Sequence, residues 1–199
     1  MSGNYSEEFP LLIKLLKTEA FRFVIVRYNH YDIVRQIQED LKIAYPNRPT
    51  YKTDAEKIEF QDLFRNYLHL QKGILFLENF QVLLKPLRTS EGKETEDMKI
   101  ENQRRAAITS GLNLRRDKLA KIPNALIVFI SASDTDLFLR TMMEKMPDLW
   151  SFRSLFLDIE KDLNYLINQG HRKLALHVHP ILSAYLTRGN FFNSIQWKW

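Results

Sequence analysis

The sequence predicts an α/β fold: a mostly parallel sheet flanked by helices in three layers, with a small α+β appendage at the C-terminal end. Three observations carry this. Four runs rich in apolar, aromatic and β-branched residues, at 21–29, 72–80, 124–131 and 155–160, have the length and composition of strands. Segments of helical period separate them, the alternation that produces βαβ units and parallel pairing. No internal repeat or low-complexity tract breaks the pattern.

Residues 7–20 (EEFPLLIKLLKTEA) have the spacing of a short amphipathic helix, and FRFVIVRYN at 21–29 follows as a buried strand. Asn29 or Asp32 is placed to cap the next helix, YDIVRQIQEDLKIAY, where Ile33, Ile37, Leu41 and Tyr45 share one face. PNRP at 46–49 stops that helix, because proline lacks an amide donor and clashes with the preceding turn. Thr50–Thr53 is a short strand candidate, and 55–71 reads as a further helix. KGILFLENF at 72–80 is the next strand. The polar stretch KPLRTSEGKETEDM at 85–98 reads as a mobile loop. A long helix is expected from about Lys99 to Ala120, with Ile108, Leu112 and Leu119 apolar. NALIVFIS at 124–131 is a strand, Asp134–Met146 a helix ended by Pro147, and LFLDIE at 155–160 the strand that closes the domain.

These elements divide the 199 residues into an α/β domain over 1–160 and a basic appendage over 161–199. With 45% hydrophobic residues, 13 Phe, 8 Tyr and 3 Trp, the chain has the apolar material for a packed core. Its apolar runs are strand-sized, so no membrane span is expected. The start, MSGNYSEEFP, lacks the basic and apolar regions of a signal peptide. Zero cysteines exclude a disulfide framework, Cys-ligated zinc and a thiol nucleophile. A cytoplasmic protein is the simple expectation. The net charge of +5 is uneven: residues 161–199 carry Lys161, Arg172, Lys173, Arg188 and Lys198 against Asp162, and everything before them is near neutral.

A nucleotide-hydrolysing α/β domain of the P-loop type needs a glycine-rich loop after its first strand, ending in Lys and Ser or Thr, because backbone amides must close around phosphates. Here the first strand runs into Val26-Arg27-Tyr28-Asn29-His30-Tyr31-Asp32. That turn has no glycine and no Lys-Ser/Thr pair; two tyrosines and an acid occupy it. The strand at 74–77 ends in Glu78-Asn79, where such enzymes carry a pair of acids for magnesium. Glu78 therefore reads as a helix-cap or loop-anchoring residue, and Ser131 at the end of its strand as a turn residue. No cofactor or metal is expected.

Two later stretches follow a recognisable pattern. GLNLRRDKLAKIPNALIVFI at 111–130 contains Leu112, Asn113, Arg116, Asp117 and Leu119 in an L-N-x-x-R-D-x-L arrangement. MPDLWSFRSLFLDI at 146–159 contains Pro147, Asp148, Trp150, Ser151, Phe152, Arg153 and Ser154 before a final strand. Over about residues 10–160 the chain resembles the inactive STAND domains of bacterial conflict and immunity systems, degenerate relatives of STAND and AAA+ ATPases. The resemblance implies a platform that does not hydrolyse nucleotide, sits beside an effector or sensor domain, and supports assembly or signal transfer. On their own chemistry, Trp150 and Phe152 read as core anchors and Asp148 as a turn cap. Arg153 reads as an ion-pair partner of Asp117, Asp148 or Glu78, and Arg115-Arg116-Asp117 as a locally paired helix surface.

In the appendage, LALHVH at 174–179 alternates like a strand and puts His177 and His179 on one face. Two histidines fall short of the three or four ligands zinc takes, so a solvated or hydrogen-bonded pair is expected. HRKLALHVHPILSAYLTRGNFFNSIQWKW resembles the C-terminal part of ribonuclease E/G family proteins, whose catalytic carboxylates have no counterpart upstream here. The functional expectation is a non-catalytic regulatory or scaffolding module, able to oligomerise and bound to a protein partner or effector domain. The alternative is an RNA-binding protein contacting nucleic acid through Arg172, Lys173, Arg188, Trp197, Lys198 and Trp199. An enzyme is a third reading, but no nucleophile sits in a recognisable spacing.

Overall fold

Both faces of a five-stranded sheet are covered in the computed structural model, which describes residues 5–67, 72–89 and 91–161. The strands are β1 (Arg22–Tyr28), β2 (Thr50–Asp54), β3 (Ile74–Glu78), β4 (Ala125–Ser131) and β5 (Leu155–Ile159). All of them run parallel, in the order β2-β3-β4-β1-β5. The helices are α1 (Tyr5–Leu16), α2 (Tyr31–Ala44), α3 (Phe60–Asp62), α4 (Glu96–Leu114), α5 (Arg116–Leu119), α6 (Thr135–Lys145) and α7 (Pro147–Ser151).

Topology decides which helix lies on which face. Crossovers between parallel strands are right-handed. The β1-to-β2 connection crosses the sheet one way, and the three later connections cross it the other way. Its helix must then lie on one face and theirs on the opposite face. The cores agree. Phe23, Ile25, Leu75, Leu77, Leu126, Val128 and Ile130 form one buried cluster with Leu83, Ile108, Leu112, Phe138 and Met142 from the later connections. The alternate residues Val24, Val26, Phe76, Ile127 and Phe129 belong to the other face. There α1 and α2 bury Leu12, Leu16, Ile33, Val34, Ile37 and Leu41. Burial on both sides explains why β3 and most of β4 are continuously apolar instead of alternating.

Four local expectations are corrected. The cap of α2 is neither Asn29 nor Asp32 but His30, which is extended (φ −145°, ψ 135°) and accepts from the Asp32 amide at 3.2 Å. Residues 55–59 are not helical: Asp54 accepts from the Glu56 amide, and Arg104 of α4 donates to the carbonyls of Ala55, Glu56 and Ile58. Those carbonyls are thereby withdrawn from an i→i+4 ladder. Helix starts only at Phe60 and passes into a π-helical turn at Leu63–Tyr67; residues 68–71 lie outside the described residues. The long helix begins earlier than expected, at Glu96 behind the cap Thr95, and breaks at Arg115 (φ −101°, ψ 11°) before α5 resumes. Pro147 does more than end α6, since it opens α7 at the first-turn position where its missing amide costs nothing.

Arg105, next to Arg104, and Asn102 hold the start of the 85–98 stretch. Arg105 donates to the carbonyls of Val82 and Lys85 at 2.8 Å each, and Asn102 accepts from the Leu87 amide at 2.8 Å. Both arginines share Glu101; the hydrogen bond from Arg104 first, then that from Arg105, holds its carboxyl at about 2. The clamp therefore stays charged except in strong acid.

Candidate functional site

In open parallel sheets, ligands bind beyond the carboxyl ends of the strands, where connections depart in opposite directions. Here that place is the row of ends of β3, β4 and β1. The connection from β1 to α2 is only Asn29 and His30. None of residues 27–32 has positive φ, so the amides are not turned into the concave nest that cradles an anion. The turn is also tied down from outside. Lys161, just past β5, donates its amide to Asn29 Oδ1 at 2.7 Å and its ammonium to Asp32 Oδ2 at 2.6 Å. The hydrogen bonds from Lys161 and then from Arg35 lower the Asp32 carboxyl to about 2, so this latch stays ionised across the physiological range.

Glu78 ends β3 on the face that carries α2, and it is 6% exposed. Its carboxylate accepts from the Tyr31 hydroxyl at 2.8 Å and from Gln38 Nε2 at 2.6 Å, and it pairs with Lys52 Nζ at 2.8 Å. Lys52 also donates to the Tyr31 hydroxyl at 3.0 Å. Every oxygen of Glu78 is thus engaged within the protein. Burial, followed by the Glu78 charge, raises the neighbouring Tyr28 phenol above its ordinary value and keeps it neutral. Asn79 turns the chain in the left-handed region (φ 54°) and donates to Asp54 at 2.8 Å. Ser131 pairs with Ser133 at 3.0 Å, as a turn residue would.

On the opposite face, Arg27 lies in a cleft with Thr135, Asp136, Asp158 and Glu160. It is already neutralised. Arg27 bonds Asp158, donates to Thr135 Oγ1 at 2.9 Å, and has Glu160 at 3.6 Å. Among the described residues, no group of three or more His, Asp or Glu is arranged to hold a metal ion. No described helix is long and apolar enough to cross a membrane.

The two motifs singled out in the sequence meet in space. Asn113 Oδ1, at the end of α4, accepts from the Leu149 amide in the first turn of α7 at 3.0 Å, and its amide group reaches Asp148 Oδ2 at 3.5 Å. Arg116 Nη1 lies 3.0 Å from Asp148 Oδ1. Pro147 fixes the turn that presents Asp148 and Leu149. Asp117 is exposed and pairs with Arg116 Nε at 3.4 Å, in line with a locally paired helix surface. Arg115 corrects that expectation: its guanidinium lies 4.8 and 4.6 Å from the ring centres of Phe60 and Phe64. Phe152 stacks on Phe21 at 5.9 Å, and Trp150 packs at the margin of the core. Arg153 corrects the ion-pair expectation: its guanidinium lies 3.9 Å from the Trp150 ring centre and donates to the Trp150 carbonyl at 2.9 Å. The helix turn brings ring and carbonyl within reach of one planar fork.

Magnitudes rank these contacts. The Arg116–Asp148 pair is more than a third exposed on both sides, so it contributes at most about 1 kcal/mol. Asn113 satisfies an orphan amide at a helix start, which is typically worth about 1 kcal/mol and up to about 2. Asn113→Ala is therefore expected to lower stability more than Arg116→Ala in matched urea titrations.

Sequence reasoning missed Gln38 and Lys52, and it named Tyr31 and Lys161 without their roles of binding Glu78 and fastening the turn. One signal was available: Gln38 is a polar residue on the apolar face that Ile33, Val34, Ile37 and Leu41 define. Arg172, Lys173, Arg188, Trp197, Lys198, Trp199, His177 and His179 lie outside the described residues, as does the appendage fold. Comparison with known proteins found no matching family model and no matching curated protein.

Proposed function

We propose that this chain is a degenerate P-loop NTPase-like domain of the inactive STAND type. It serves as a non-catalytic regulatory or scaffolding module in a bacterial conflict or anti-phage signalling system, and it works through protein contacts without nucleotide hydrolysis. The observation that supports this best is the closed end of the sheet. Phosphate loop, magnesium carboxylates and polar sensor must converge at one point for phosphoryl transfer. The ends of β1, β3 and β4 do converge. What they hold is a two-residue turn latched by Lys161, and a Glu78 whose oxygens are bound by Tyr31, Gln38 and Lys52. The docking of Asn113 and Arg116 on α7 adds support, because it gives both motifs a structural task needing no nucleotide. The partner is a protein surface or an effector domain.

Calorimetric titration of the full chain with ATP and GTP in the presence of magnesium is expected to show no binding at the strand ends. Magnesium-dependent binding of micromolar affinity would overturn the reading. Nanomolar, steeply salt-dependent RNA binding, lost on removing residues 162–199, would replace it with an RNA-binding function.

A further inference from the structure

A cleft on the side of the molecule away from the strand carboxyl ends has an unusual charge. It lies between the turn around α3 and the break after α4, with a volume of about 470 Å³. Its lining among the described residues includes Arg65, Arg115 and Lys118 but no acidic side chain. Among the described residues none of these three cations has an ion-pair partner, whereas Arg27, Arg35, Arg104, Arg105 and Arg116 each pair with an acid.

Arg115 is built into place. Its guanidinium lies 4.8 Å from the Phe60 ring centre and 4.6 Å from that of Phe64, and the two rings are 4.7 Å apart. The rings need the space Gly111 leaves: a Cβ there would come within 2.2 Å of Phe60 Cε2. Arg65 belongs to the π-helical turn, a rare geometry that is frequent at functional sites. Arg115 Nη1 is buried and has no acceptor among the described residues. A buried charged donor left unpaired is costly, and such a group calls for a counterpart.

We propose that this cleft binds a small phosphate monoester carrying an apolar or aromatic body. Such a group brings close to two negative charges and three acceptor oxygens, which suits three cations better than the single charge of a carboxylate. The fork of Arg115, immobilised on two rings, loses little freedom on gripping it. Phe60, Leu119 and Ile122 supply the apolar wall for the ester body. The site is separate from the closed strand ends and needs no magnesium.

The test is a titration of the full chain with phenyl phosphate, followed by calorimetry and by amide chemical shifts. Saturable, magnesium-independent binding is expected with a Kd of about 1 mM or tighter, roughly tenfold tighter than inorganic phosphate because a ring is buried. Arg115→Gln and Lys118→Glu should each weaken it about tenfold. Lys118 is exposed, so its variant keeps the fold and the comparison stands even if Arg115→Gln does not fold. Absence of saturation up to about 10 mM, equal affinity in Lys118→Glu, or equally tight binding of benzoate would each overturn the proposal.

Discussion

Glu78→Ala should lower the unfolding free energy by roughly 2–3 kcal/mol, the cost of stranding buried polar partners. Gln38 is 7% exposed and would keep a donor with no acceptor. The Tyr31 hydroxyl would lose the oxygen it donates to. Lys52 softens the loss. Its side chain is half exposed and can return to water, so the 3–5 kcal/mol typical of breaking a fully buried pair is not reached. Glu78→Gln keeps one acceptor and should fall between wild type and alanine in a denaturant series. A Glu78 kept for magnesium would behave the other way: its removal would relieve buried charge and raise stability. A gain in midpoint for Glu78→Ala would therefore refute the anchoring role.

Phe129→Ala is expected to cost more, about 3–5 kcal/mol. Phe129 is fully buried in the middle of β4, on the face covered by α1 and α2, and its ring sits 6.2 Å from that of Phe76. Strands on both flanks hold the β4 backbone in register, so the layer cannot collapse into the space a ring leaves. Thermal unfolding should show the loss as a drop in Tm of order 10 °C for a chain of this size. A fall of only a degree or two would mean that this layer packs loosely, against the burial seen for Val26, Ile37 and Leu41.

The strands were legible because each is a short apolar run whose burial depends on nothing remote. All four strong runs and the weaker Thr50–Thr53 candidate became strands, and an alternation of helices with strands was enough to imply parallel pairing. Residues 55–59 were not legible. Their helical spacing is overruled by Arg104, which takes three of their carbonyls from more than 40 positions away in the chain. The break at Arg115 is similar, since its reward is the pair of rings at Phe60 and Phe64. At the candidate site, the missing phosphate loop could be read directly from Arg27–Asp32, because glycine is needed there and none is present. What fills the place could not. Tyr31 and Glu78 meet only when α2 lies over the end of β3, and that depends on the order of the strands.

Lys161 bears on how the domain would carry load. The β1–β5 ladder ends at the Tyr28–Ile159 pair, and the Lys161 amide adds one further rung through the Asn29 side chain, with the ammonium clipped to Asp32. Tension applied to the backbone beyond this point, along the strand axis, would reach the ladder lengthwise. Parallel strands slid past each other resist with all their rungs together, whereas strands peeled from an edge give way one rung at a time. The fastening at Lys161 sets the first of these two directions as the stiff one, so a pull there would be delivered to β1, the strand next to β4 at the centre of the sheet, before it loosened the edge.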